Sequence, residues 1–234
     1  MADEWIKALK KSMQAARSEP RLRRPTTITA YVWLSIHRWP DLAQGFLLLQ
    51  KAELHAEAMC LSRPAAELAI NAGWIVFGSS AEFPTPESRF AAMEEESRQQ
   101  QKKWWEAMQR HQPEVTFSKK MTEAWTAFCA LPPTSDPPPD LRTRAIQQSA
   151  RGDLAAQLYD FAFRVDSQSM HSNTRVLVTR ARGEPALPPR LVLFNMLNAG
   201  RLLFFAGAEV LGSPGIKSAW ETLTRVTTKS PRGN

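Results

Sequence analysis

The sequence predicts an all-α fold: a single-domain helical bundle with long helices and a proline-rich surface loop. Apolar residues recur at helical spacing along most of the 234 residues, and proline and glycine fall where one helical pattern gives way to the next. A hydrophobic fraction of 43% and a charged fraction of 23% are typical of a globular protein and exclude a disordered or fibrous chain. One domain is expected over residues 1–234, with N-terminal helices in 1–40 and packing helices in 188–225.

Proline positions define the predicted boundaries of the helices. The first helix, which is amphipathic, ends before Pro20, and Pro40 is interpreted as a helix start. Pro64 predicts a kink or a break, because proline lacks the amide hydrogen that a helix interior needs. Residues 132–139 carry too many prolines for a helix or a central strand, so they are expected to form an extended surface loop. The predicted helices cover 2–17, 42–63 with a continuation to Phe77, 87–111, 118–131, 140–150, 154–170 and 190–211, with a last one around Trp220.

The composition indicates which classes of partner and which cellular compartment to expect. A formal net charge of +7 makes RNA or a nucleotide a candidate partner, although a solvated basic surface accounts for the charge equally well. Cys60 and Cys129 lie in apolar helical segments without CxxC spacing, so both are expected to be reduced core residues. The N-terminal segment lacks the apolar stretch of a signal peptide, and a cytoplasmic location is expected.

One apolar stretch, Leu191 to Leu211, is long enough to be considered as a membrane span. Four polar or charged residues interrupt it, and an arginine near its middle would cost about 2.5–3.5 kcal/mol to insert into a bilayer. A buried core helix is therefore the preferred interpretation, with no membrane partner. The interrupting residues are Asn195, Asn198, Arg201 and Glu209.

Common catalytic and metal-binding motifs do not occur in the sequence. There is no GxGxxG, no Walker-type phosphate loop, no HExxH, no GxSxG and no Cys/His metal spacing. His37, His55 and His111 stand alone, and no acidic residue forms the ExxH pairing of a carboxylate-bridged metal site. No cofactor and no metal site are expected.

The segment from Leu154 to Asn173 is the one place where residues with complementary chemistry share a helix flank. Arg164 and His171 are seven residues apart, so on an α-helix they lie within about 20° of each other and about 10 Å apart along the axis. Arginine suits phosphate oxygens and histidine exchanges a proton near neutral pH, which together would suit metal-independent RNA cleavage. A symmetric dimer would supply the two histidines that an acid and a base require. The core-facing stripe of this helix is predicted to comprise Leu154, Leu158, Phe161 and Val165.

Two segments carry a resemblance to a known family. The run from Tyr159 to Asn173, with Arg164, Asp166 and His171, resembles the signature helix of the HEPN superfamily, in which arginine, a polar residue and histidine follow each other at this spacing. The run from Leu61 to Asn71 is similar to the Arg-xxx-Glu helix of a bacterial branch whose members are mostly described as domains of unknown function. The resemblance covers about residues 42–177.

The resemblance implies a helical homodimer, an RNA-directed function and a set of site residues. Arg164 and His171 would be the catalytic pair, with Asp166 positioning them, in a metal-independent endoribonuclease of a toxin–antitoxin or phage-defence type with a cognate antitoxin or partner protein. The supporting residues would be Arg63, Glu67, Asn71, Tyr159 and Asn173.

Non-catalytic and structural alternatives to that interpretation remain open. The chain could be a non-catalytic dimerisation or interaction module, or could bind a nucleotide at the same basic flank. Arg164 and His171 could form a structural hydrogen-bonding pair. Arg63 and Glu67, four residues apart, could form a buried structural salt bridge.

Overall fold

The computed structural model describes residues 2–22, 26–111, 117–148, 152–164 and 188–228, and within them it confirms the all-α prediction. The described residues form two compact units, a larger one from residues 1–80 and 140–234 and a smaller one from 81–139. The larger unit contains α1 (Ala2–Ser18), α2 (Thr27–Lys51), α3 (His55–Phe77), α6 (Leu141–Ile146), α7 (Gly152–Leu158), a π-helical turn (Tyr159–Arg164), α8 (Pro189–Leu211) and α9 (Pro214–Thr228). The smaller unit contains α4 (Pro86–His111) and α5 (Lys119–Ala130).

Helix α8 lies at the centre of the larger unit and packs against α3, α2 and α9. It has the length and hydropathy of a membrane-spanning helix, the one such helix among the described residues, yet 78% of its apolar window is buried inside the protein. Its approach to α2 depends on Gly200, where an added Cβ would lie 2.6 Å from Cζ2 of Trp39. The absence of a side chain at that position therefore lets a fully buried tryptophan lie against the α8 backbone.

Neither Pro40 nor Pro64 ends or begins a helix, so the predicted start at Pro40 and a break at Pro64 are wrong. Helix α2 runs through Pro40, which is buried and is not a start, and α3 continues through Pro64. A proline inside a helix costs about 3 kcal/mol, which the burial of flanking residues offsets. The predicted helix over 42–63 instead breaks at 52–54, where Glu53 adopts a left-handed conformation with φ of 60°. Tertiary packing thus outweighs the local proline signal.

The smaller unit combines an aromatic cluster with a buried ion pair. Trp105 and Trp125 stack with ring centroids 5.4 Å apart, and Phe117 and Phe128 complete the cluster. Helical spacing places Trp104 with Phe90 and Met93 on the apolar edge of an otherwise charged α4, but Trp105 is the buried tryptophan and Trp104 is 49% exposed. The charged side chains of α4 also include two that are buried, Arg89 and Glu95.

The buried carboxylate of Glu95 holds the proline-rich loop that follows α5. It accepts two hydrogen bonds from the guanidinium of Arg98, at 2.8 and 2.5 Å, and one from the backbone amide of Thr134 at 3.3 Å. Arg98 also donates to the carbonyl of Leu131 at 3.0 Å. The hydrogen bonds from Arg98, followed by one from Gln99, lower the pKa of Glu95 to about 2. The predicted extended loop is confirmed, and this charged anchor fixes its start.

Candidate functional site

The residues predicted to carry catalysis fall mostly outside the described part of the chain. Asp166, His171 and Asn173 lie outside the described residues, and of Arg164 only the backbone is described. Arg164 is the last residue of the π-helical turn that follows α7. The predicted Arg164–His171 geometry therefore stays a prediction, and the described site consists of the elements that lead up to it.

The π-helical turn changes which side chains of this segment face the core. Hydrogen bonds in a π-helix join residues i and i+5, so each residue rotates less about the axis than in an α-helix. Leu158 is buried as predicted, but Phe161 is 52% exposed and Ala162 takes the buried position. The prediction that Phe161 belongs to the core stripe is thus wrong, because it assumed α-helical periodicity through the turn.

A small cavity lies on the flank of the π-helical turn, between α7 and α8. It has a volume of about 210 Å³, and Leu158 and the exposed Phe161 form part of its apolar lining. Three amide side chains, Gln157, Asn195 and Asn198, also line it. The two asparagines are nearly buried, at 4% and 6% exposure, so they face the cavity rather than bulk solvent.

Asn195 links the cavity to the π-helical turn. Its Nδ2 donates a hydrogen bond of 3.2 Å to the backbone carbonyl of Phe161. The hydrogen-bonded ring of a π-helical turn is wider than that of an α-helical turn. A neighbouring side chain that donates a hydrogen bond to one of its carbonyls stabilises the π-helical geometry. Asn195 thereby holds the turn that ends at Arg164 and is itself part of the cavity lining.

The structure does not contain the buried salt bridge that was considered for the Arg-xxx-Glu segment of α3. Arg63 is half-buried, Glu67 is exposed, and no ion pair joins them. Residues 65, 66, 69 and 70 form the buried face of this part of α3, which leaves Glu67 on the solvent side. The alternative of a buried Arg63–Glu67 salt bridge is therefore wrong.

Asn71 belongs to a buried polar network that connects α3 to α6. Its Oδ1 accepts a 2.9 Å hydrogen bond from the guanidinium of Arg144, which is 3% exposed and also lies 5.9 Å from the ring centroid of Trp74. Gln148 donates to the carbonyls of Ile70 and Arg144, at 3.0 and 3.3 Å. The structure gives Asn71 a positioning role for Arg144. Tyr159, the remaining described site residue, is half-buried at the start of the π-helical turn.

Sequence reasoning did not select the residues that build this site. In the sequence Asn195 and Asn198 interrupt an apolar stretch, and Arg144 is one of 30 Lys and Arg residues. Two asparagines spaced by three residues in an otherwise apolar helix do carry a signal, because buried amides need partners or a ligand. Arg144 carries no comparable signal, since its burial depends on α6 packing against α3.

Comparisons with known proteins identify no relative of this chain. No family model, no curated protein and no solved structure matches it. Within the described residues, no group of three or more histidine, cysteine or acidic side chains is placed to hold a metal ion. The chemistry that the site can perform must therefore be argued from its own amides, its exposed aromatic ring and the arginine that follows them.

Proposed function

We propose that the protein binds single-stranded RNA at the flank of the π-helical turn and cleaves it without a metal ion. The observation that carries the proposal is the amide-lined cavity next to the turn that ends at Arg164. Its volume of about 210 Å³ corresponds to roughly seven water molecules at about 30 Å³ each, which is room for one flat heterocycle. Unpaired bases are recognised by stacking on aromatic rings and by hydrogen bonds to their edges.

The side chains at the cavity match that mode of recognition. Phe161 offers an exposed ring on which a base can stack. Asn195 and Asn198 carry both donors and acceptors, which suits the mixed hydrogen-bonding edges of a base. A base held there would bring its own phosphate near the helix segment that contains Arg164.

The distribution of charge supports an anionic ligand on this unit. The smaller unit, residues 81–139, contains nine acids and seven Lys or Arg residues. The entire basic excess of the chain therefore resides in the larger unit, which contains the π-helical turn. Phosphate contacts provide most of the sequence-independent affinity for nucleic acids, and they require such an excess.

The proposed reaction is an internal transfer at phosphorus. His171 removes the proton of a ribose 2′-hydroxyl, the 2′-oxygen bonds to phosphorus, and the bond from phosphorus to the 5′-oxygen breaks. Arg164 stabilises the charge on the non-bridging oxygens, and His171 of a second copy donates the proton that the leaving 5′-oxygen needs. The products are a 2′,3′-cyclic phosphate and a 5′-hydroxyl, so no water or metal takes part in this step.

The test is RNA degradation by the purified protein in EDTA. The wild type should cleave single-stranded RNA to 2′,3′-cyclic phosphate ends, and His171→Ala should abolish cleavage. His111→Ala, on the exposed end of α4 in the smaller unit, is the matched control and should keep wild-type activity. Equal cleavage by wild type and His171→Ala, with both folded by circular dichroism, would overturn the catalytic proposal.

A second candidate function is a non-catalytic dimerisation or interaction module. It is favoured by exposed apolar side chains on two contacting elements, Phe161 at 52% and Ile146 at 58% exposure. Under this function RNA is not degraded, and Arg164→Glu changes the oligomeric state measured by light scattering. An unchanged mass for Arg164→Glu would argue against the interface.

A further inference from the structure

A second, larger cavity lies between α1, α2 and α8 on a different face of α8 from the amide-lined cavity. Its volume is about 590 Å³, within the range of roughly 300–1,000 Å³ that small-molecule sites occupy. Phe46 and Leu193 form buried parts of its lining, and Ile6 and Leu47 contribute half-buried aliphatic surface. Leu48 lies exposed at the same cavity, at 57% exposure. The cavity is therefore apolar over most of its lining.

The charged residues that line this cavity are all cations. They are Lys10 of α1, Lys51 of α2 and Arg190 of α8, and each side chain is exposed. Among the described residues, none of the three forms an ion pair or a hydrogen bond. Three cations from three helices around an apolar lining create a local positive potential that attracts an anion.

We propose that this cavity binds a single-chain anionic amphiphile, such as a fatty acid or an alkyl phosphate. The alkyl chain would cover the aliphatic lining, and the head group would bind the three cations. The lining favours a chain over a nucleobase, because its one aromatic ring, Phe46, is fully buried and offers no stacking surface. The site is independent of the proposed ribonuclease chemistry, which involves a different cavity.

The test is isothermal titration calorimetry with decanoate and with decyl phosphate, each below its micellar concentration. One equivalent of at least one of them should bind, and the comparison distinguishes a carboxylate from a phosphate head group. Decyltrimethylammonium, which has the same chain with a cationic head, and inorganic phosphate, which has no chain, should both bind at least tenfold more weakly. Equal affinity for the cationic amphiphile would overturn the role of the three cations.

Variants locate the binding in the cavity. Lys10→Glu combined with Lys51→Glu should weaken binding at least tenfold, and Leu48→Ser should weaken it several-fold without touching the core. Lys7→Glu is the matched control, because Lys7 is an exposed lysine of the same helix that does not line the cavity. It should bind as the wild type does. Unchanged binding in the double variant, or equal loss in the control, would contradict the proposal.

Two further measurements distinguish this proposal from nucleic-acid binding at the same surface and from the proposed ribonuclease activity. Absence of binding by both amphiphiles, together with loss of single-stranded RNA binding in the double lysine variant, would overturn the proposal and identify the surface as a nucleic-acid contact. His171→Ala should bind the amphiphile with wild-type affinity. That result separates a failure of this proposal from a failure of the proposed ribonuclease.

Discussion

The two units of the protein are stabilised by different interactions. The larger unit contains an apolar core in which α8 is surrounded by other helices, and its largest buried side chains include Trp39, Trp74 and Phe204. The smaller unit contains an α5 helix with no buried residue, an aromatic cluster, and the ion pair of Glu95 with Arg98. We therefore expect the larger unit to respond chiefly to changes of volume and buried polarity, and the smaller unit to respond to protonation of its buried carboxylate.

The largest effect is expected where a buried polar partner is removed from the larger unit. Asn71→Ala leaves the buried guanidinium of Arg144 without the acceptor now 2.9 Å away. Loss of a hydrogen bond to a charged group should lower the free energy of unfolding by about 1.5–3 kcal/mol. Urea unfolding measures the change.

The control for that variant keeps the acceptor. Asn71→Asp preserves Oδ1 and adds a charge opposite Arg144, so its stability should equal or exceed that of the wild type. If Asn71→Ala is as stable as the wild type, the network does not stabilise the α3–α6 contact.

A slightly smaller effect is expected from an added methyl group at Gly200. The Cβ of Gly200→Ala would lie 2.6 and 2.8 Å from two carbons of the buried Trp39 ring, and overpacking of this kind costs about 1–3 kcal/mol. Gly215→Ala is the matched control, since its Cβ would have no neighbour closer than 3.8 Å. Thermal unfolding should show a lower Tm for the first variant alone. Equal Tm values would show that α2 and α8 adjust to the added methyl without cost.

A local effect is expected when the charged anchor of the smaller unit is removed. Glu95→Gln replaces the carboxylate that accepts hydrogen bonds from Arg98 and Thr134, whereas Glu94→Gln changes an exposed neighbour and is the control. Hydrogen exchange should accelerate in residues 131–135 and stay unchanged in α8. Acceleration throughout both units would contradict the separation proposed here.

The same anchor predicts a pH dependence. The folded pKa of Glu95, at about 2, is lower than its ordinary value of 4.5, so its stabilising contribution is fully present above pH 4.5 and is lost as the pH falls toward 2. In the larger unit, the hydrogen bond from the backbone of Thr143 lowers the pKa of Asp140, the N-cap of α6, so acid also weakens the start of that helix. The protection of the loop amides from exchange, measured relative to the intrinsic rate at each pH, should therefore fall between pH 4.5 and 2 in the wild type. The fall should be smaller in Glu95→Gln.

The sequence predicts the helical class well because apolar spacing reports directly on which residues can share a buried face. The positions of α1, α4, α5 and α8 follow from that spacing to within a few residues. Helix ends are predicted less well where local and tertiary preferences disagree. Proline at 40 and 64 opposes a helix locally, but the burial of its neighbours outweighs that preference.

The candidate site is less predictable than the fold, and the reason is geometric. An α-helical wheel places Phe161 in the core, but one π-helical turn rotates it toward solvent and brings Ala162 inward. No local pattern in residues 159–164 signals that turn, because it is held by Asn195 from a helix more than thirty residues away. Arg164 and His171 can be chosen from chemistry alone, whereas Asn195 and Asn198 become cavity residues only through the packing of α7 against α8.

The smallest effect is expected at the break between α2 and α3, which the sequence places at Pro64 and the structure places at Glu53. Glu53 is the one described residue other than glycine with a positive φ, at 60°. A left-handed conformation costs an ordinary L-residue about 1–2 kcal/mol, and glycine adopts it freely but loses more backbone entropy on folding. Glu53→Gly should therefore raise the free energy of unfolding by a net of about 0.5–1 kcal/mol, whereas Glu53→Val should lower it. Urea unfolding of the two variants measures both changes, and a loss of stability in Glu53→Gly would show that the side chain of Glu53 contributes more than the left-handed conformation costs.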